Sequence, residues 1–295
     1  MYINLFDRCD RLGANISTYV AQILYAHNNN CIIKFKNNSK KKYKYCDSIF
    51  VQILFNYIDK YNKELFIKGI KDDKLDTNIR NNREYAFYRD YIFYTSFVLK
   101  NIKSDFISYF HEYIYNNIEN DIINIKKKYN FIPFDTNKTI LVHLRLDDVS
   151  NRPDYDGSLC SEYYKEKILN NKFCKCEFYK TINNQAPLSK IKLENIINKA
   201  KEEFLDYKVI LLTSPRSDTS FLDYEVIKNK DESLDLYLLS MCNVVILSRS
   251  TYALSSTFFN NKKRKTYIPL WGHFVTCGLD TIYDKNDKSK LEYFY

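Results

Sequence analysis

A short polar cluster, His143-Leu144-Arg145-Leu146-Asp147-Asp148, follows directly on the apolar run 139–142. That run is rich in β-branched and apolar residues, and it predicts a buried strand that ends where the polar residues begin. Strand alternation places His143 and Arg145 on the same side, and a guanidinium forms two parallel hydrogen bonds with a phosphate or carboxylate group. The cluster therefore fits an anion-binding site. An ion pair between Arg145 and one of the two aspartates explains it equally well.

A second cluster, Ser248-Arg249-Ser250-Thr251-Tyr252, follows another apolar run, 244–247. Ser250 or Thr251 is suited to cap the helix that begins there. The free backbone N–H groups and the positive end of the helix dipole also attract phosphate groups. Capping accounts for one hydroxyl, and three hydroxyls beside an arginine favour an anion site.

Both clusters lie where predicted strands alternate with predicted helices. The second half of the chain predicts strands at 139–144, 209–213, 244–248 and 266–269, separated by helical segments at 191–207 and 233–241. This alternation predicts an α/β fold with a parallel sheet, which binds ligands outside the carboxyl ends of its strands. The first half predicts strands at 2–6 and 31–35, a helix over 13–27 and helical segments within 47–130. We therefore predict two domains, 1–135 and 136–295.

Three stretches, in order along the chain, resemble the α-1,2-fucosyltransferases and the wider fucosyltransferase superfamily. Arg11-Leu12-Gly13-Ala14-Asn15 is similar to the family's Gly-Leu-Gly-Asn-Gln turn, with Ala14 and Asn15 standing where the family has Asn and Gln. The cluster 143–148 is similar to its His-x-Arg-x-Gly-Asp motif, with Asp147 in place of Gly. The segment 235–253 is similar to its last block, without the two tryptophans that end that block. The pair Tyr163-Tyr164 is similar to a Tyr-Tyr pair that follows the arginine motif.

The resemblance implies a GT-B fold, with two Rossmann-like domains and a cleft between them, and inverting transfer of fucose from GDP-fucose to a glycan hydroxyl. It implies that Arg145 and Asp148 are catalytic, Arg145 by offsetting the charge of the diphosphate leaving group. A carboxylate is the usual group to take the acceptor's proton, and Asp147, Asp148, Asp154 and Asp156 remain alternatives for that role. The implied donor-binding residues are His143, Arg145, Asp235, Ser248, Ser250, Thr251, Gly13 and Asn15. The resemblance implies no metal or other cofactor.

Composition sets the broad class. The chain has 295 residues, of which 45% are hydrophobic and 27% charged, which is typical of globular proteins and excludes collagen, disordered tails and pure coiled coils. It has no apolar run of the length a membrane span needs and no signal peptide at its start. We therefore expect a cytoplasmic protein, with attachment to a membrane surface or residence in an infected host cell left open. Eight cysteines predict free thiols, and their spacing and the scattered histidines predict no metal site.

Two rival functions remain open from the sequence. Asp154-Tyr155-Asp156 is an Asp-x-Asp triplet, which in a metal-dependent nucleotide-sugar transferase would hold a divalent cation on the diphosphate. Alternatively, the net charge of +9 and the many tyrosines and phenylalanines suit a non-catalytic protein that binds glycans or nucleic acid. The aromatic residues fall mainly on helical stripes and not among the lysines, so no nucleic-acid partner is expected.

Overall fold

The structure is a computed structural model of the chain, and it describes residues 2–8, 11–70, 110–129, 134–146, 187–259, 265–269 and 291–294. The chain forms two compact units. The first comprises Met1–Asn130 and Thr257–Phe259, and the second comprises Phe131–Ser256 and Asn260–Tyr295. The sequence pattern does not predict that residues 257–259 return to the first unit. Phe258 and Phe259 pack there against Phe110 and Phe50, with ring centroids 5.1 and 4.7 Å apart.

The described part of the first unit consists of a small parallel sheet and helices. Its strands are β1 (Tyr2–Asn4) and β2 (Ile32–Lys34), and its helices are α1 (Leu12–Asn28), α2 (Ile49–Ile67) and α3 (Asn116–Lys128), the last continuing a wider turn at His111–Tyr115. Every residue of α1 from Leu12 to Ala26 is buried. This helix therefore lies inside the unit, and Asn15, Thr18 and Gln22 on it form hydrogen bonds with the backbone.

Two amide side chains bind the backbone of the small sheet and of the loop after it. Gln22 of α1 accepts a hydrogen bond from Phe6 N at 3.0 Å and donates one to Phe6 O at 2.8 Å. Asn62 of α2 does the same at Ile33, accepting from its N–H at 2.9 Å and donating to its carbonyl at 2.7 Å. Each amide thus satisfies both polar groups of one backbone residue.

The second unit is built on a parallel sheet of five strands flanked by helices. The strands are β3 (Thr139–His143), β4 (Lys208–Thr213), β5 (Glu225–Lys228), β6 (Val244–Ile246) and β7 (Lys265–Pro269), and a further segment, β8 (Leu291–Phe294), pairs with β7. The spatial order is β5-β4-β3-β6-β7-β8, and all neighbours are parallel. The chain moves outward from β3 to β5, then returns to the other side of β3 with β6. This is the strand order of a doubly wound sheet.

Those helices of the second unit that lie in the described ranges begin at side-chain caps. They are α4 (Lys190–Glu203), α5 (Glu232–Met241) and the short α6 (Thr251–Ser255). Ser189, Asp231 and Ser250 each accept a hydrogen bond from a backbone N–H of the first turn. The apolar side of α4 packs with one face of the sheet in a single core that includes Ile196, Ile197, Ile140, Leu211 and Ile246.

The predicted central strands and the helices that follow them are confirmed, each within a few residues of its expected bounds. The second unit is an α/β fold with a parallel sheet, whereas the two-domain GT-B arrangement stays a prediction. None of the helices in the described ranges has the length and apolar character needed to cross a membrane. Cys31, Cys46 and Cys242, which lie within those ranges, are free thiols.

Candidate functional site

The candidate site lies at the carboxyl edge of the sheet, where the neighbouring strands β3 and β6 end. Val142 of β3 is opposite Ile246 of β6, and His143 is the last residue of β3. After β3 the chain continues toward β4, and after β6 it continues toward β7 on the opposite side. The loops that follow these two strands therefore diverge here. Such a switch point opens a crevice at the carboxyl ends of the strands, where doubly wound sheets bind their ligands.

A hydrogen bond joins the end of β3 to the loop after β6 across this switch point. His143 Nδ1 and Ser248 Oγ lie 2.7 Å apart, and both residues are buried. The ring of Tyr252 lies beside the imidazole, with centroids 5.8 Å apart at an angle of 43°. Burial, with a smaller contribution from the charge of Arg145, lowers the pKa of His143 to about 3. The imidazole is therefore neutral at pH 7 and offers one donor and one acceptor.

Arg145 lies two residues beyond the end of β3, and its side chain is partly exposed. Its positive charge adds to the effect of burial in lowering the pKa of His143. Leu144 N still bonds to Leu212 O at 2.8 Å, so the backbone remains attached to β4 just before Arg145. The backbone that leads into Arg145 is therefore held at the edge of the sheet.

Hydroxyl groups cover the adjoining end of β4. Thr213 Oγ1 donates to Leu144 O at 3.0 Å and lies 2.8 Å from Ser217 Oγ. Lys228 Nζ, at the end of β5, donates to Ser217 O at 2.7 Å. The loop after β4 is therefore tied to the ends of both neighbouring strands.

Ser250, Thr251 and Arg249 follow β6 and have different surroundings. Ser250 Oγ accepts a hydrogen bond from Tyr252 N at 3.2 Å, which confirms the predicted cap. Thr251 is partly exposed at the first position of α6, and this helix has only five residues. Arg249 is 2% exposed, so its guanidinium lies inside the unit. The cap occupies Ser250, and its role in donor binding stays a prediction, as does that of Thr251.

Asp235 is a buried carboxyl group in the first turn of α5. It is 9% exposed, and Asn229 Nδ2 donates to its Oδ1 at 2.7 Å. Burial raises the pKa of Asp235 to about 7, against the opposing effect of the Asn229 hydrogen bond. Tyr252 connects this region to His143, because its hydroxyl donates to Glu232 O and its ring contacts the imidazole. Burial and the charge of Asp235 raise the pKa of Tyr252 well above its usual value.

Gly13 and Asn15 belong to the first unit, at the start of α1. Asn15 Oδ1 accepts from Arg8 N at 2.8 Å, and Asn15 Nδ2 donates to Arg11 O at 3.1 Å. Asn15 thus holds the loop that precedes α1, and Gly13 is buried in the first turn of the helix. Their contact with a donor molecule stays a prediction.

The predicted carboxylates of the loop after β3 lie outside the described residues. These are Asp147, Asp148, Asp154 and Asp156. In the ranges that the structure describes, no group of three or more His, Cys, Asp or Glu side chains is arranged to hold a metal ion.

Two residues next to the predicted ones, Tyr252 and Asn229, were not predicted from the sequence as members of the site. Tyr252 directly follows Thr251 in the cluster 248–252, and this position beside predicted site residues indicates that it belongs to the site. Asn229 directly follows β5, and the sequence pattern did not predict that strand. Comparisons with known protein families, curated proteins and solved structures found no match to this chain.

The surroundings of His143 predict an acid-sensitive fold. Between pH 6.5 and about 3 the unfolded chain binds a proton at this residue that the folded chain does not, so the free energy of unfolding falls as the pH is lowered through that window. His27 acts in the same direction, because burial lowers its pKa to about 4. At pH 5 we expect each histidine to lower stability by about 2 kcal/mol relative to pH 7.

Urea unfolding of the wild type and of His143→Gln at pH 7 and pH 5 measures this effect. The variant keeps a hydrogen-bonding side chain but does not titrate, so its loss of stability on acidification should be about 2 kcal/mol smaller. His27→Gln tests the second histidine in the same way, and it should reduce the loss by a similar amount. If the loss of stability on acidification were the same in His143→Gln, this imidazole would bind its proton as readily in the folded chain as in the unfolded chain.

Proposed function

We propose that this chain is an inverting glycosyltransferase that uses a nucleoside-diphosphate sugar, and that its donor is GDP-fucose. The observation that supports this best is the hydrogen bond between His143 and Ser248 at the switch point of the sheet, with Arg145 two residues further on. Doubly wound sheets bind nucleotides at this position. The choice of fucose and of guanine derives from the motif resemblance.

Phosphate binding would here depend on a cation and hydroxyl groups. The segment at the end of β3 reads His143-Leu144-Arg145-Leu146. It lacks the glycines that form a phosphate-binding loop at this place in many doubly wound folds. An arginine fork can instead bind two phosphate oxygens at once. Neutral His143 supplies a hydrogen bond without adding a buried charge.

Asp235 suits the nucleotide base in this proposal. A carboxylate can accept two hydrogen bonds from the N–H groups of guanine, and the buried position makes such bonds strong. Because its pKa is about 7, part of the population carries a proton at neutral pH. Two N–H donors from the base would stabilise the charged form, so binding of guanine would release a proton.

In the transfer step, the acceptor hydroxyl oxygen would form a bond to the anomeric carbon while the bond from that carbon to the phosphate oxygen breaks. The electron pair of the broken bond stays on the nucleoside diphosphate, and Arg145 offsets the negative charge that develops there. The acceptor's proton passes to a carboxylate, for which Asp147, Asp148, Asp154 and Asp156 are the sequence-based choices.

The proposal is tested by nucleotide binding together with donor turnover. A ligand at a hundredfold excess over its dissociation constant raises the free energy of unfolding by about 2.7 kcal/mol. We expect such a shift with GDP, a smaller one with UDP or ADP, and slow hydrolysis of GDP-fucose without an acceptor. The absence of a shift with every nucleoside diphosphate would contradict the site. A shift without any donor turnover would instead indicate a binding protein.

A further inference from the structure

The first unit carries a concentration of lysines that the proposed function does not use. Residues 34–46 contain six lysines and no acidic residue, and residues 34–68 contain nine lysines, three acidic residues and no arginine. Residues 34–68 thus have a net charge of +6, compared with +9 for the whole chain. Of the six lysines in 34–46, four have exposed side chains, namely Lys36, Lys41, Lys42 and Lys44.

A buried tyrosine holds the segment that carries these lysines. Tyr43 is 5% exposed, and its hydroxyl accepts from Lys36 N at 2.6 Å and donates to Leu5 O at 3.0 Å. Its ring makes edge-on contacts with Tyr19, Phe35 and Phe55, at centroid distances of 6.3, 5.9 and 5.6 Å. The lysines are therefore presented on a backbone that is anchored in the core.

The outer side of α2 continues the basic surface. Lys40 lies against it, forming an ion pair with Asp59 and a hydrogen bond of 3.3 Å with Asn56. At 100° per residue, Asn56, Asp59, Lys63 and Phe66 share one side of the helix. Phe66 and Ile67, about 10 Å beyond Asp59 along the axis, are 54% and 85% exposed. An exposed apolar pair thus ends the same side of the helix on which the lysine segment rests.

We propose that this surface, formed by Lys36, Lys41, Lys42, Lys44, Lys63, Phe66 and Ile67, binds anionic lipid bilayers. Lysine clusters of this size are attracted to the negative charge of phospholipid headgroups, and exposed apolar side chains beside them enter the headgroup region. Single-stranded nucleic acid fits the surface less well, because successive bases stack on several aromatic rings, and among the residues that form this surface only Phe66 has one. The rings of Tyr43 and Phe35 are packed against other rings of the unit.

The test is sedimentation of the full chain with phosphatidylcholine vesicles, with and without phosphatidylserine, at about 0.1 M salt. One variant combines Lys36→Gln, Lys41→Gln, Lys42→Gln and Lys44→Gln. Its matched control, with Lys127→Gln, Lys128→Gln, Lys199→Gln and Lys201→Gln, removes the same charge from exposed positions elsewhere. Each lysine near an anionic surface strengthens binding about fivefold. We expect the first variant to lose on the order of several hundredfold in affinity and the control to bind nearly as the wild type does.

Two further measurements complete the test. Phe66→Ser should weaken binding to the anionic vesicles even at high salt, where the charges are screened. A short single-stranded oligonucleotide is the competing ligand. Sedimentation that does not depend on phosphatidylserine, an equal loss in both lysine variants, or tighter binding of the oligonucleotide through the same lysines would overturn the proposal. Binding of GDP should not change in either variant, which separates this result from the fate of the proposed function.

Discussion

Arg145→Ala is expected to lower the rate of sugar transfer by about 10²–10³-fold, the usual effect of removing one group that stabilises developing charge. Its side chain is partly exposed and lies beyond the last residue of β3, so the core of the sheet should not change. We therefore expect the melting temperature to stay close to that of the wild type. The measurement is kcat/KM for the donor, with thermal unfolding of the same preparation.

Arg216→Ala is the matched control for this variant. It removes the same charge from an exposed turn after β4, the strand next to β3. A second readout follows the imidazole of His143 by NMR, because loss of the Arg145 charge should raise its pKa, while burial still holds that pKa below the usual value. Full activity in Arg145→Ala, or an equal loss in both variants, would remove Arg145 from the proposed phosphate site.

Asp235→Asn is expected to stabilise the protein at pH 8 by about 4 kcal/mol while removing its preference for guanine. Because burial raises the folded-state pKa of Asp235 to about 7, the folded chain holds a proton between pH 4 and 7 that the unfolded chain has lost. Its contribution to stability is therefore complete below pH 4 and is lost as the pH rises through 7. Asparagine carries no charge, and its side-chain oxygen can still accept the hydrogen bond from Asn229.

Urea unfolding at pH 5 and pH 8 tests the stability effect, and the GDP-induced shift in melting temperature tests the preference. Asp231→Asn is the control on the same helix, because Asp231 is exposed and asparagine caps a helix about as well as aspartate. The gain in Asp235→Asn should be larger at pH 8 than at pH 5. An equal gain at both pH values would contradict the raised pKa, and an unchanged GDP response would contradict base recognition.

The central strands could be predicted from the sequence because they are buried on both faces. All five residues of β3 are buried, and its pattern of β-branched and apolar residues is continuous. Strand β5 was missed, since it lies at the edge and its four residues, Glu225–Lys228, are half-buried or exposed. An edge strand of mixed polarity does not differ from a loop in its pattern.

The chemistry of the site could be predicted only in part. His143 and Ser248 were both predicted as site residues, because each follows a buried strand. Their hydrogen bond could not be predicted, since the two residues are 105 positions apart and meet only because β6 pairs with β3. The burial of Arg249 and the raised pKa of Asp235 likewise depend on how the loops pack, which the local sequence does not specify.

The two side-chain amides of the first unit have a consequence for how copies of the protein behave together. In an antiparallel sheet, the two residues of a hydrogen-bonded pair each donate the N–H to the other's carbonyl. The side chain of Asn62 reproduces these two hydrogen bonds at Ile33, and that of Gln22 does so at Phe6. Exposed strand edges recruit strands from other molecules and initiate aggregation. Asn62 takes the place that an invading strand would need at Ile33, so α2 protects the edge of β2 from intermolecular pairing.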